Sequence, residues 1–115
     1  MIKQNYIYKL FNKNNNLEKI YIGSSSLPLK NRLNNHKSSY KLYLNGKYHY
    51  LTSFELFKNT DNHDDIGIEM IELLNNEDNK LERERYYIEN NNTYNKHIPN
   101  RSIQEYGLLY YSNNK

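Results

Sequence analysis

The spacing of apolar positions changes along the chain, and each change marks an element. Residues 5–11, NYIYKLF, alternate and are rich in β-formers, which predicts a strand. The turn-rich NKNNNL at 12–17 interrupts it. EKIYIG at 18–23 predicts a second strand, so the two form a hairpin with a long loop. Pairing Phe11 with Glu18 would set Tyr8 directly opposite Tyr21. Ser24, Ser25 and Ser26 precede Pro28, which predicts a helix start with a serine cap and a proline in the first turn. Leu29, Leu33, Tyr40 and Leu44 keep helical spacing until Asn45-Gly46.

Residues 50–58 predict a second, short helix, and NTDNHDD at 59–65 a polar loop. IGIEMIELL at 66–74 fits a buried strand or a helix by periodicity alone; its Ile residues and short length favour a strand. Residues 78–91 predict a helix with Leu81, Tyr87 and Ile88 on one face, and a last short helix is expected near 102–111. The order ββααβα, with that C-terminal short helix, predicts an α+β fold. Its centre is a small three-stranded, mainly antiparallel sheet flanked by helices. No repeat or linker divides the chain, so residues 1–115 read as a single domain.

Composition narrows the chemistry. The chain has no Cys, which excludes thiolate metal sites, disulfides and a cysteine nucleophile. It holds 13 Tyr and 21 Asn but no Ala, Val or Trp, a bias that follows AT-rich codons and leaves Ile, Leu and Tyr to fill the core. No apolar run approaches the roughly 20 residues of a membrane helix, mean hydropathy is −1.07, and MIKQNYIYKL lacks a signal-peptide core. The expectation is a soluble, intracellular protein without a membrane partner. Residues 1–47 hold nine Lys/Arg and one acid, a net +8; residues 48–115 hold seven and twelve, a net −5. A basic half suits a phosphate-facing surface, and equally two solvated faces of opposite sign.

Three groups of residues could carry chemistry. Arg32 and His36 lie four apart on the predicted first helix and share its inward face with Leu29 and Leu33. They suit phosphate binding and proton work, or an ion pair and a packed imidazole. Glu84 lies three after Leu81 and shares the face of Tyr87 and Ile88, so it aims inward, to pair with Arg32 or to hold a divalent ion. Tyr8 and Tyr21 are candidate neighbours on the hairpin, with Gly23-Ser24 following, though packing alone would account for them.

Taken together these residues resemble the GIY-YIG nuclease superfamily. Tyr6-Ile7-Tyr8 and Tyr21-Ile22-Gly23 resemble its paired signature, and Tyr6 departs from it by replacing the first Gly. Arg32 and His36 match its helix motif, Glu84-Arg85-Tyr86-Tyr87-Ile88 its metal-binding stretch, and Asn95 its closing Asn, so the motifs span residues 5–95, with 96–115 as a C-terminal tail. The segments HKSSYKLYLNGK and NKHIPNRSIQEY are similar to stand-alone members from large DNA viruses.

The resemblance implies an endonuclease that hydrolyses DNA phosphodiester bonds with one Mg²⁺ or Mn²⁺ ion anchored by Glu84. It implies Tyr8 as general base supported by His36, Tyr21 as a hydrogen-bonding partner and Arg32 as phosphate stabiliser. A phenolate at Tyr8 would be made accessible by the charge of Arg32 and the ion. Gly23, Ser24, Lys30, Lys37, Lys41 and Asn95 are the expected DNA-contacting positions. At 115 residues there is little room for a separate recognition region, so specificity comes from DNA shape or from a protein partner. The alternative is a catalytically inactive, nucleic-acid-binding relic of the same fold. Oligomeric state is not legible in the chain.

Overall fold

The computed structural model describes residues 4–75 and 79–95. Its centre is a three-stranded sheet. β1 (Tyr6–Asn12) lies between β2 (Tyr21–Ser25) and β3 (Ile66–Leu73), and both pairings are antiparallel. Three helices flank it: α1 (Leu29–Leu44), α2 (Phe54–Lys58) and α3 (Lys80–Glu89). This is the expected α+β fold. The β-branched segment at 66–74 is a strand, settled by its pairing along the whole of β1.

Alternation along β1 sorts its side chains onto two faces. Tyr6, Tyr8 and Leu10 enter one core with Tyr40 of α1 and Phe54, Leu56 and Phe57 of α2. Ile7 enters a second with Ile22, Leu74 and Ile88 of α3. With no Ala or Val available, the larger core is built of rings. Tyr40 lies 5.1 Å from Phe57 and 5.4 Å from Phe54, centroid to centroid, within the favourable range for aromatic pairs.

The hairpin register differs from the expected one. Tyr8 faces Gly23, and Tyr21 faces Leu10. The cause lies in the loop. Asn12 and Asn15 side chains accept from the N–H groups of Asn14 and Leu17, and these Asx turns keep residues up to Glu18 out of the strand. The slip is two residues, an even number, so Tyr8 and Tyr21 stay on the same face.

Helix boundaries shift as well. No serine caps α1: Pro28 takes the N-cap position, and Ser25 Oγ instead accepts from Leu27 N–H in the preceding turn. α2 starts at Phe54 because residues 52–53 form a turn. α3 starts at Lys80, where the Asn79 side chain accepts from Leu81 and Glu82 N–H. The polar loop at 59–65 contains a short 3₁₀ turn, His63–Asp65. Leu44 and Leu81 were expected on buried faces and are instead 63% and 45% exposed. Each occupies a terminal turn of its helix and packs on neither core. The helix expected near 102–111 lies outside the described residues. No helix among the described residues is long and apolar enough to cross a membrane.

Gly23 is where sheet and core meet most closely. A Cβ at Gly23 would lie 2.5 Å from Tyr8 Oη and 2.6 Å from its Cζ. Tyr8 is fully buried, so its ring cannot swing aside into solvent. Gly23→Ala is therefore expected to destabilise the domain by about 1–3 kcal/mol, the usual range for overpacking. Denaturant unfolding of the variant checks this; an unchanged midpoint would show that the Tyr8 ring shifts freely.

Candidate active site

A cavity of about 280 Å³ opens at the β2 side of the sheet. Tyr21 and Ile22 of β2, Arg32 and His36 of α1, Glu84 and Ile88 of α3, the turn Leu51–Ser53 and Asn95 line it. Four of the five side chains singled out as catalytic therefore share one wall-to-wall space, although they come from three elements. The fifth, Tyr8, sits directly behind them.

Tyr8 joins the group through two hydrogen bonds. Arg32 Nε donates to Tyr8 Oη at 3.0 Å, and Tyr8 Oη lies 2.7 Å from His36 Nε2. A guanidinium only donates, and the direction of the second bond follows the imidazole tautomer: with the His36 proton on Nδ1, Nε2 accepts from the Tyr8 hydroxyl. The i, i+4 spacing of Arg32 and His36 lets one helix face supply both partners. Arg32 spends only Nε on this contact; its two terminal nitrogens have no protein partner among the described residues. The Tyr21 ring stands edge-on to His36, with centroids 5.7 Å apart.

Burial dominates the electrostatics. It pushes the Tyr8 hydroxyl well above the usual tyrosine range, the Tyr21 hydroxyl adds to this, and Arg32 opposes it only in part. In this fully buried site desolvation outweighs the one neighbouring cation, so Arg32 alone does not make the phenolate accessible. Tyr21 is also raised, first by burial, with Arg32 opposing and Glu84 reinforcing. His36 is pushed down to about 3, by burial and then by the charge of Arg32. At neutral pH a neutral imidazole and the neutral Tyr21 phenol therefore line the cavity beside Arg32, with the neutral Tyr8 phenol behind them.

Glu84 lies on the cavity wall and is half-buried. It forms no ion pair with Arg32; among the described residues no cation lies within ion-pair distance of it. Its neighbour in sequence explains how it is held. Arg83 donates from Nε and Nη2 to the Glu72 carboxylate at 2.8 and 2.5 Å, and the Tyr87 hydroxyl donates to the same carboxylate at 3.0 Å. This fork ties α3 to β3 next to the residue that enters the cavity. Arg83 holds the Glu72 carboxyl below its ordinary range through these bonds.

The remaining expected positions separate. Asn95 belongs to the site: its Oδ1 accepts from Ile22 N–H at 2.9 Å and its Nδ2 donates to Ile22 C=O at 2.8 Å. It thereby completes the backbone hydrogen bonding of β2 on its open edge. Gly23 is buried beneath Tyr8, and Ser24, opposite Ile7, does not line the cavity. Lys30, Lys37 and Lys41 share a face of α1, but at 100° per residue that face lies about 140–180° around the axis from Arg32. None of the three borders the cavity. Tyr6, which stands where the signature has Gly, turns its ring into the core, and its hydroxyl donates to the Leu27 carbonyl.

Leu51, Thr52 and Ser53 line the cavity without having been anticipated. The chain around them reads as the start of a helix, and nothing in its pattern marks a cavity wall. Among the described residues no three His, Cys, Asp or Glu side chains cluster. An all-protein metal cage is thus not offered there, whereas a lone carboxylate fits an ion that keeps most of its waters.

The family model of the GIY-YIG catalytic domain matches residues 4–97. Comparison with curated proteins and with solved structures yields no match.

The depressed His36 pKa has a consequence for stability. In the unfolded chain the imidazole takes its proton near the ordinary 6.5; in the folded chain it resists protonation until about 3. Between those values the unfolded state binds more protons, so stability falls as pH drops from about 6.5 toward 3, by at most about 1.4 kcal/mol per pH unit from this group. Glu72, whose pKa is lowered, weakens the fold further as its own carboxyl protonates, with or without His36. His36→Gln is expected to flatten the profile between pH 4 and 6.5 relative to the parent. Unfolding midpoints measured across that range check it; parallel profiles would place a charged His36 in the fold.

Proposed function

We propose, from the premise that the chain belongs to the GIY-YIG catalytic-domain family, that it is a divalent-metal-dependent endonuclease hydrolysing DNA phosphodiester bonds. The observation that carries this reading is the convergence of Arg32, His36, Tyr21 and Glu84 on one cavity, with Tyr8 bonded to two of them. A nuclease of this kind needs charge neutralisation at the phosphate and a path for the proton of the attacking water.

Arg32 supplies the first. Its two unpartnered terminal nitrogens match a pair of phosphate oxygens in a planar fork. Tyr8 and His36 supply the second. As water attacks phosphorus, its proton passes to Tyr8 Oη while the Tyr8 proton moves to His36 Nε2. The new P–O bond forms as the bond to the departing sugar oxygen breaks, and that oxygen is protonated from solvent. Tyr8 stays a hydroxyl throughout, so the cost of a buried phenolate does not arise. An arriving phosphate also offsets the charge of Arg32, one of the two causes that keep His36 low, and makes the imidazole a better acceptor. Tyr21, on the same cavity wall, would hydrogen-bond the phosphate or the water. A Mg²⁺ or Mn²⁺ ion held by Glu84 would supply a Lewis acid for a phosphate oxygen, with waters filling its other positions.

DNA is the substrate in this reading. The basic first half attracts it at long range. The second reading, an inactive DNA-binding relic, is favoured by one observation, the strongly raised hydroxyl of Tyr8. The relay through His36 answers it, and cleavage tests it.

Glu84→Gln should abolish Mg²⁺-dependent nicking of supercoiled plasmid, as EDTA should for the parent, while leaving the fold intact. A Gln variant that nicks at the parent rate would remove Glu84 from the site, and a parent that never nicks would favour the relic. For the proton path, Tyr8→Phe keeps the ring but deletes the hydroxyl, and single-turnover cleavage should fall about 100- to 10,000-fold, the range for general acid–base catalysis. Tyr21→Phe should cost less. The opposite order would move the base to Tyr21.

A further inference from the structure

Ser53 carries a buried polar atom that the mechanism above does not use. It is 1% exposed, and among the described residues its Oγ is the buried side-chain atom with no hydrogen-bond partner. It stands at the N-cap of α2, where a serine hydroxyl ordinarily accepts from a helix N–H, yet it makes no such bond. Its position is firmly held. Phe54 and Leu56 beside it are fully buried, and the Ser53 carbonyl accepts from Leu56 N–H at 3.2 Å. A hydroxyl shut away from water without a partner lowers stability, and native chains rarely carry one without a use for it. Ser53 lines the same cavity as Arg32, His36 and Glu84.

We propose that Ser53 is a further substrate-contacting residue, whose hydroxyl donates to a non-bridging oxygen of the phosphodiester held by Arg32. The proposal rests on the nuclease reading. Its chemistry is that of an anion brought to a waiting donor. The phosphate supplies acceptors that the cavity wall does not give Ser53, and Arg32 supplies the charge that draws the phosphate in. A neutral donor fixed by the core adds to Arg32 without raising the net charge of the site. Because the core holds its backbone and neighbours, only the hydroxyl rotor has to turn toward the phosphate. The bond strengthens as negative charge builds on the phosphoryl oxygens, so its effect falls on the rate more than on affinity.

The test uses the full chain with Ser53→Ala and Ser53→Thr. Three measurements are compared: thermal unfolding without DNA, single-turnover cleavage of a labelled duplex in Mg²⁺, and affinity for the same duplex in Ca²⁺. Deleting an unpaired hydroxyl should leave the melting temperature of Ser53→Ala unchanged or higher. Its cleavage rate should fall about 10- to 100-fold, the range for losing one hydrogen bond to a charged group. Affinity should weaken a few-fold. Ser53→Thr keeps the hydroxyl and should recover most of the rate. Parent-like rate and affinity in Ser53→Ala would overturn the proposal. So would a lower melting temperature that tracks the lost rate, because Ser53 would then be bonded within the fold, through a buried water. If the parent cuts no DNA, the nuclease reading fails by itself, and duplex affinity decides alone: weaker binding by Ser53→Ala upholds a phosphate contact, and equal binding overturns it.

Discussion

A phenol hydroxyl sealed inside a protein must find partners, and in this domain that requirement falls on Tyr8. The residue is completely buried at the centre of the middle strand, where no neighbouring strand can satisfy its oxygen. Both partners come from one helix, Arg32 and His36, a single turn apart. That pairing sets how α1 lies across the sheet. It demands Gly at 23, since no other residue leaves room for the Tyr8 ring against β2. It also fixes the charge state of the site. Burial and then the arginine lower His36, so the imidazole stays neutral, and burial keeps the phenol protonated.

The opposite wall is assembled differently. α3 offers one well-buried apolar anchor, Ile88, and its first turn leaves Leu81 in solvent. Apolar burial of that size holds a ten-residue helix only loosely in place. The Arg83–Glu72–Tyr87 fork supplies the directional component, at the position next to Glu84. Asn95 does comparable work on the β2 edge. Its amide gives Ile22 the two hydrogen bonds that a fourth strand would provide, and so brings the chain after α3 back to the cavity rim. Three of these contacts are polar and half-exposed, whereas the Tyr8 side of the cavity is welded by rings.

What could be read in the chain beforehand follows from how far each feature reaches. Strand alternation and the four-residue helical spacing are local. They placed Tyr8 and Tyr21 on a common face and Arg32 and His36 on a common turn. Register depends on loop conformation, and the Asx turns of Asn12 and Asn15 moved it by two residues without disturbing the faces. Helix ends depend on what the helix overhangs, so Leu44 and Leu81 fit the apolar period and still face solvent. The lysines of α1 share a face as their spacing demands, but which side of the axis meets the cavity is a property of packing, and it belongs to Arg32. Ser53 was out of reach altogether. Its significance lies in a bond it does not make, which no residue pattern records.

The raised hydroxyl of Tyr8 bears on why a tyrosine stands there at all. If the site worked by forming a phenolate, burial would be an obstacle, and a more exposed tyrosine beside the same arginine would serve better. A relay reverses the argument. A neutral hydroxyl that accepts one proton while donating another needs a fixed acceptor, and it gains from the exclusion of water, which would otherwise compete for both bonds. Burial supplies each of these. It holds the 2.7 Å contact with His36 and, with the neighbouring guanidinium, keeps the imidazole neutral. The same desolvation that makes Tyr8 a poor phenolate thus suits the proposed relay, in which Tyr8 never carries a charge.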